Sequence, residues 1–200
     1  MVNIRKRNAL CTRHLFVAIC LSLLVAPTSA AQSEIAGIDA YVAKINQFMK
    51  VNKSSARIFA DVSGSDDNTD RWQEFRNEDE MEKVRTGDNL NTIAFVSTNS
   101  GKVNASSFTF TSPSGDWAHL ITYYFREDGS LAKIHAELNT FYGNLSVIRD
   151  LYFNNRGVLL KNTRRYLDLK TKKVRKPGEF FDHTVPLYRN VRELPFHKLL

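Results

Sequence analysis

The chain has 200 residues, with 28 Lys and Arg against 21 Asp and Glu and a formal net charge of +7. Its two cysteines, Cys11 and Cys20, both fall within the first 30 residues. The remainder of the chain is long enough for one domain with a sizeable core, and it excludes a disulfide scaffold, a thiol nucleophile and a cysteine metal site.

Arg5, Lys6, Arg7 and Arg13 form a basic stretch with no acidic residue among them, ahead of the apolar run Leu15 to Ala26. Pro27-Thr28-Ser29-Ala30-Ala31 then supplies small residues. This is the pattern of a secretory signal peptide over 1–30, too short to span a bilayer, with cleavage expected after Ala30 or Ala31. The expectation is therefore an exported chain, in a bacterial periplasm or outside the cell, with one domain over 31–200. No cysteine follows the apolar run, which argues against a lipid-modified N-terminus. Removing the four basic residues of the leader leaves 24 cations against 21 anions, and these are unevenly spread. Residues 31–130 hold 10 basic and 15 acidic side chains; residues 131–200 hold 14 and 6. Such asymmetry fits either a surface for anionic partners or two solvated faces.

Ile35, Ile38, Tyr41, Val42, Ile45, Phe48 and Met49 recur at spacings of three and four, which predicts an amphipathic helix from Ser33 to about Lys50. Ser33 is the expected N-cap, with Glu34 in the first turn. Residues 64–69 (GSDDNT) read as a loop. Asp66, Asp67 and Asp70 lack the glycine and distal Glu of a calcium loop, so they read as solvated acids. From Asp70 to Gly87 the charged segment bears only Trp72, Phe75, Met81 and Val84 to bury, and a short or broken helix is expected.

The period then changes to two. Strands are predicted over 92–97, 107–111, 117–126, 131–141, 147–153 and 158–169. Tyr124-Phe125, Gly129, Leu131 and Lys133 recur 28 residues later as Tyr152-Phe153, Gly157, Leu159 and Lys161, so two hairpins look alike. The fold class is thus α+β: an N-terminal helix on an antiparallel meander of about six strands. That layout resembles the cystatin-like and nuclear-transport-factor-like folds in architecture alone, and such folds host unrelated functions. A tail punctuated by Pro177, Pro186 and Pro195 comes last, with a short helix expected over Leu187 to Leu194 and apolar side chains to lie along the body.

The hairpin at Gly129 admits two registers. A two-residue turn at Asp128-Gly129 pairs Tyr123 with Ile134, Ile121 with Ala136 and His119 with Leu138. A three-residue loop with Gly129 left-handed slips the pairing by one, so that His119 faces Glu137 and Trp117, His119, Tyr123, His135 and Glu137 share a surface. That cluster would set an imidazole beside a carboxylate and stacking aromatics, in a pocket between helix and sheet. The same surface could offer two imidazoles and a carboxylate to a metal, but no nucleophile elbow, zinc-protease helix or phosphate-cradling glycine loop accompanies it, and neither a cofactor nor a metal is expected.

Lys170, Lys172, Lys173, Arg175 and Lys176 place five cations in seven residues, one strand length after Arg164 and Arg165. This patch could meet an anionic envelope surface; no aromatics interleave it as nucleic-acid stacking would need. The leading expectation is an exported, non-enzymatic binding module of unknown ligand or protein partner. A small-ligand-binding or hydrolytic enzyme is the alternative, and peripheral association with an anionic surface a third.

Overall fold

The computed structural model describes residues 26–63, 71–84, 92–176 and 184–200, with side chains described from residue 31 onward. The leader to residue 25, the acidic loop with Asp66, Asp67 and Asp70, Gly87, Pro177, Phe180 and Phe181 lie outside the described residues.

Helix α1 spans Ala26–Val51. It starts upstream of the expected cap: Ala30, Ala31 and Gln32 are good helix formers, so nothing stops the helix at Ser33, which lies inside it. Among the described side chains, the packed stripe follows the periodicity. Residues 32–34 are exposed, Ile35 is half-buried, and Ile38, Val42 and Ile45 are buried against the sheet.

The sheet has eight antiparallel strands in the order β2-β1-β3-β4-β5-β6-β7-β8. They are β1 (Arg57–Asp61), β2 (Trp72–Phe75), β3 (Thr92–Asn99), β4 (Lys102–Thr111), β5 (Trp117–Phe125), β6 (Leu131–Thr140), β7 (Leu145–Phe153) and β8 (Leu159–Asp168). All six predicted strands are present, and two more extend the sheet beyond β3. The charged segment expected as one broken helix divides: β2 comes first, then helix α2 (Glu78–Val84). Asn77 forces the division by capping α2. Its Oδ1 accepts the Glu80 N–H at 2.8 Å, while Glu80 Oε2 accepts the Arg76 N–H at 2.8 Å, a reciprocal cap that begins the helix after Phe75.

The Gly129 hairpin combines both expected alternatives. Its loop is the three-residue form: the Gly129 N–H donates to Arg126 O, the Arg126 N–H donates to Ser130 O, and Gly129 has φ 82°. Phe125 accordingly pairs with Leu131. One step on, Ala132 bulges out, Tyr124 pairs with Lys133, and the slip is undone. Tyr123 then faces Ile134, Ile121 faces Ala136, and His119 faces Leu138. The 28-residue recurrence has the same cause. Gly157 (φ 74°) closes the same turn, Phe153 pairs with Leu159, Leu160 bulges, and Tyr152 pairs with Lys161. In the β3–β4 hairpin the unpaired residue is Asn104, between the pairs Ser97–Ala105 and Thr98–Val103. The three bulges therefore lie 28 residues apart. Two of them hand Ala132 and Leu160 to α1.

One face of the sheet is closed by the C-terminal segment. Leu194 and Phe196 are fully buried, and Phe196 stacks on Phe59 with ring centroids 4.4 Å apart. Tyr188 leans on Phe108 and Tyr123, whose hydroxyl donates to Pro186 O at 2.8 Å. The helix expected over Leu187 to Leu194 does not form. That stretch is extended and ends in a 3-10 turn at Val191–Glu193, because it must send alternate side chains into the sheet. The tail is part of the core, as its apolar content implied.

Candidate functional site

On the opposite face α1 crosses the sheet over the bulged ends of the strands. Its polar side chains take partners there: Tyr41 donates to Phe125 O at 2.6 Å, and Asn46 Oδ1 accepts the Tyr124 hydroxyl at 2.9 Å. Asp39 Oδ1 accepts from Lys133 Nζ at 2.9 Å and from the Tyr152 hydroxyl at 3.0 Å. Lys133 also donates to Tyr152 at 2.8 Å and lies 3.6 Å from Asp150, whose Oδ1 is 2.8 Å from His135 Nδ1. Pairing across β6 and β7 builds this cluster, because Lys133 faces Tyr152 and His135 faces Asp150.

Charge balance governs these groups. Burial works against the Lys133 ammonium, but hydrogen bonds to Tyr152 and Asp39 and the charge of Asp150 outweigh it, so its pKa stands above the usual value. Burial would likewise raise the Asp150 carboxyl; the hydrogen bond from His135 and the charge of Lys133 reverse that and hold it below the usual range. His135 is thus an imidazole oriented by a carboxylate, half exposed at 39% of its side chain.

Beside this cluster a cleft of about 650 Å3 opens between the end of α1 and the start of α2. Ile58, Phe95, Ser97 and Ser107 form its floor. Met49, Asn52, Lys53 and Ser54 form one wall, and Arg76, Asn77, Glu78 and Asp79 the other. The floor is largely apolar and the rim carries both charges. Its inner edge joins the cluster through one cross-strand row: Phe95, Ser107, Thr122, His135 and Asp150 are successive partners from β3 to β7. Ser107 and Thr122 hydroxyls share a hydrogen bond of 3.0 Å. With strands about 4.8 Å apart, His135 stands about 10 Å from Ser107.

The five residues expected to form one pocket do not come together. Trp117, His119 and Tyr123 lie on the tail-covered face, His135 and Glu137 on the helix side, because the Ala132 bulge restores the register that separates them. His119 is buried and lines a cavity of about 150 Å3 with Trp117, Phe110 and Pro186. Glu137 pairs with Lys172 at 3.7 Å rather than with an imidazole. The carboxylate that orients a histidine is Asp150. The β6–β7 pairing that identifies it rests on the Phe141–Asn144 turn, which carries a glycine signal but no length cue.

The basic residues also divide. Arg164 pairs across from Arg149 and Arg165 across from Ile148, so they project to opposite faces. Lys170, Lys172, Lys173, Arg175 and Lys176 are exposed on a loop that folds back on the end of β8. Among the described residues no group of three or more His, Cys, Asp or Glu could hold a metal ion. Nor is any helix there long and apolar enough to cross a membrane. Compared with known proteins, the chain matches no family model, no curated protein and no solved structure.

Proposed function

We propose that this chain is an exported binding protein for a small amphiphilic molecule, held in the cleft between α1, α2 and the sheet. The observation that carries the reading is the cleft itself: about 650 Å3, floored by Ile58 and Phe95 and rimmed by Lys53, Arg76, Glu78 and Asp79. Ligand sites of this size are mostly apolar with a few convergent polar groups. An apolar body would lie on the floor, and a polar head would meet the rim and the Ser97 and Ser107 hydroxyls. Export rests on the leader pattern of residues 1–30.

The test is titration with an environment-sensitive amphiphilic dye, alongside native mass spectrometry of the purified protein. Saturable one-to-one binding is expected. Ser97→Met and Ser107→Leu fill the floor and should weaken it about tenfold, with unfolding midpoints near that of the parent. Non-saturating dye uptake, or binding that ignores both substitutions, would contradict the proposal.

A second reading is hydrolysis of such a ligand, favoured by His135 Nδ1 lying 2.8 Å from the Asp150 carboxylate. A carboxylate there leaves Nε2 as the proton acceptor for a water on the exposed side. Activity against a panel of esters that disappears in both His135→Gln and Asp150→Asn would favour it. An unchanged rate in either variant would remove it.

A further inference from the structure

The turn between β6 and β7 exposes two adjacent aromatic side chains. Phe141 and Tyr142 are each 70% exposed, at the tip of a turn that Gly143 (φ 68°) and Asn144 (φ 51°) bend sharply back. Leaving two rings in water forgoes the burial that aromatic side chains normally gain, and adjacent exposed rings mark interaction surfaces more often than single ones do.

The basic loop is fastened to this turn. Asp168 Oδ1 accepts the backbone N–H groups of Lys170 (3.1 Å) and Thr171 (2.8 Å) and the Thr171 hydroxyl (3.0 Å), while Oδ2 accepts Asn144 Nδ2 at 2.8 Å. Lys172 turns the chain with φ 57°, and Val174 returns to bridge Leu167. The Leu169 N–H then donates to Asn144 O at 2.9 Å, and Arg175 Nη1 to Gly143 O at 2.6 Å. Phe141, Tyr142 and Val174, the last 83% exposed, therefore project from one built tip amid Lys170, Lys172, Lys173 and Lys176. The described acidic groups nearby are largely engaged. Asp168 is spent on the loop backbone, Glu137 lies 3.7 Å from Lys172, and Asp116 accepts the Ser114 hydroxyl. Lys170, Lys173 and Lys176 make no ion pair among the described residues.

We propose that this tip docks the protein on an anionic lipid bilayer. Phe141, Tyr142 and Val174 enter the headgroup–acyl boundary, and the lysines lie at the level of the lipid phosphates. Charge complementarity selects an anionic partner, and the apolar points select one with apolar depth. A soluble polyanion meets only half of that description: an exposed valine has no flat face for a base or sugar to stack on. The surface is independent of the cleft, and either assignment can fail alone.

The experiment is co-sedimentation with vesicles of phosphatidylcholine alone and of equal parts phosphatidylcholine and phosphatidylglycerol, at low and high salt. It compares the full chain with F141S/Y142S and with K170E/K173E, so any contribution from residues 1–31 is common to all. The expected result is preference for the mixed vesicles and a loss of about tenfold in each double variant. At high salt, the parent should retain more binding than F141S/Y142S, the difference being the part that the tip contributes. Should a double variant unfold, F141W gives a second readout: a blue-shifted emission increment with mixed vesicles supports insertion, and no increment overturns it. Equal binding of F141S/Y142S and parent overturns the proposal, as does indifference to phosphatidylglycerol. So does tighter binding to heparin or an oligonucleotide than to vesicles.

Discussion

The two faces of the sheet are covered in different ways, and the difference separates stability from function. On the tail side, Phe59, Phe108, Ile121, Tyr123, Ile134 and Phe196 make a dry aromatic layer, and burial pushes the Tyr123 phenol far above its usual range. On the helix side, α1 covers only the bulged ends of the strands with an apolar stripe of Ile38, Val42 and Ile45. At the β1–β2 edge of that face α2 closes a small cluster of Ile58, Ala60, Phe75 and Met81, and between the two helices lie hydroxyls, an imidazole, carboxylates and the cleft. A sheet gains most of its stability from one well-packed face, which leaves the other free to hold polar groups at positions set by register.

Breaking this contrast starts where packing is densest. Phe196→Ala removes a fully buried ring that touches Phe59, Trp72 and Phe108. We expect a loss of about 3–5 kcal/mol in urea unfolding, with the binding proposed for the cleft intact wherever the fold persists. On the helix side, Lys133→Met strands Asp39 and Asp150 without their shared cation. The expected loss is about 2 kcal/mol, less than for a fully enclosed pair because Asp39 is half exposed.

The same cluster predicts how stability follows pH. The Asp150 carboxyl is more acidic folded than unfolded, so its contribution is complete above the unfolded value near 3.8 and declines as pH falls below it. The Lys133 pKa is raised, so its contribution is complete below the unfolded value near 10.5 and is lost at higher pH. Urea midpoints of the parent should therefore drop at both extremes. Asp150→Asn should flatten part of the acid limb, and an acid limb identical in the variant would refute the assignment. The smallest effect tests the repeated turns. Gly129→Ala and Gly157→Ala place a Cβ on left-handed backbone at φ 82° and 74°, and each should cost about 1 kcal/mol. Unequal costs would show that the two hairpins, alike in register, are not alike in energy.

Much of this arrangement was legible in the residues. The α1 stripe and six strands come from periods of 3.6 and 2, and the 28-residue recurrence of Tyr-Phe, Gly, Leu and Lys marked hairpins that do share turn and bulge. Strand β2 was hidden because Trp72–Phe75 is short, edge-placed and half exposed, so its charge pattern mimics a solvated helix. The candidate site was only partly visible. His135 stood out by residue type, but its partner Asp150 sits 15 residues away on a strand whose register no local signal specified.

Local chemistry alone therefore determined α1, the six strands from β3 to β8, the glycine turns between them, and that cations gather after β8. Only the folded chain decided which side chains meet. One unpaired residue, Ala132, sends every later residue of β6 to one face or the other, and an alanine within an apolar strand looks the same paired or bulged. The bulge forms because it brings Ala132 under α1 and Ile134 into the aromatic layer at once, a gain that exists only when helix, sheet and tail are all in place.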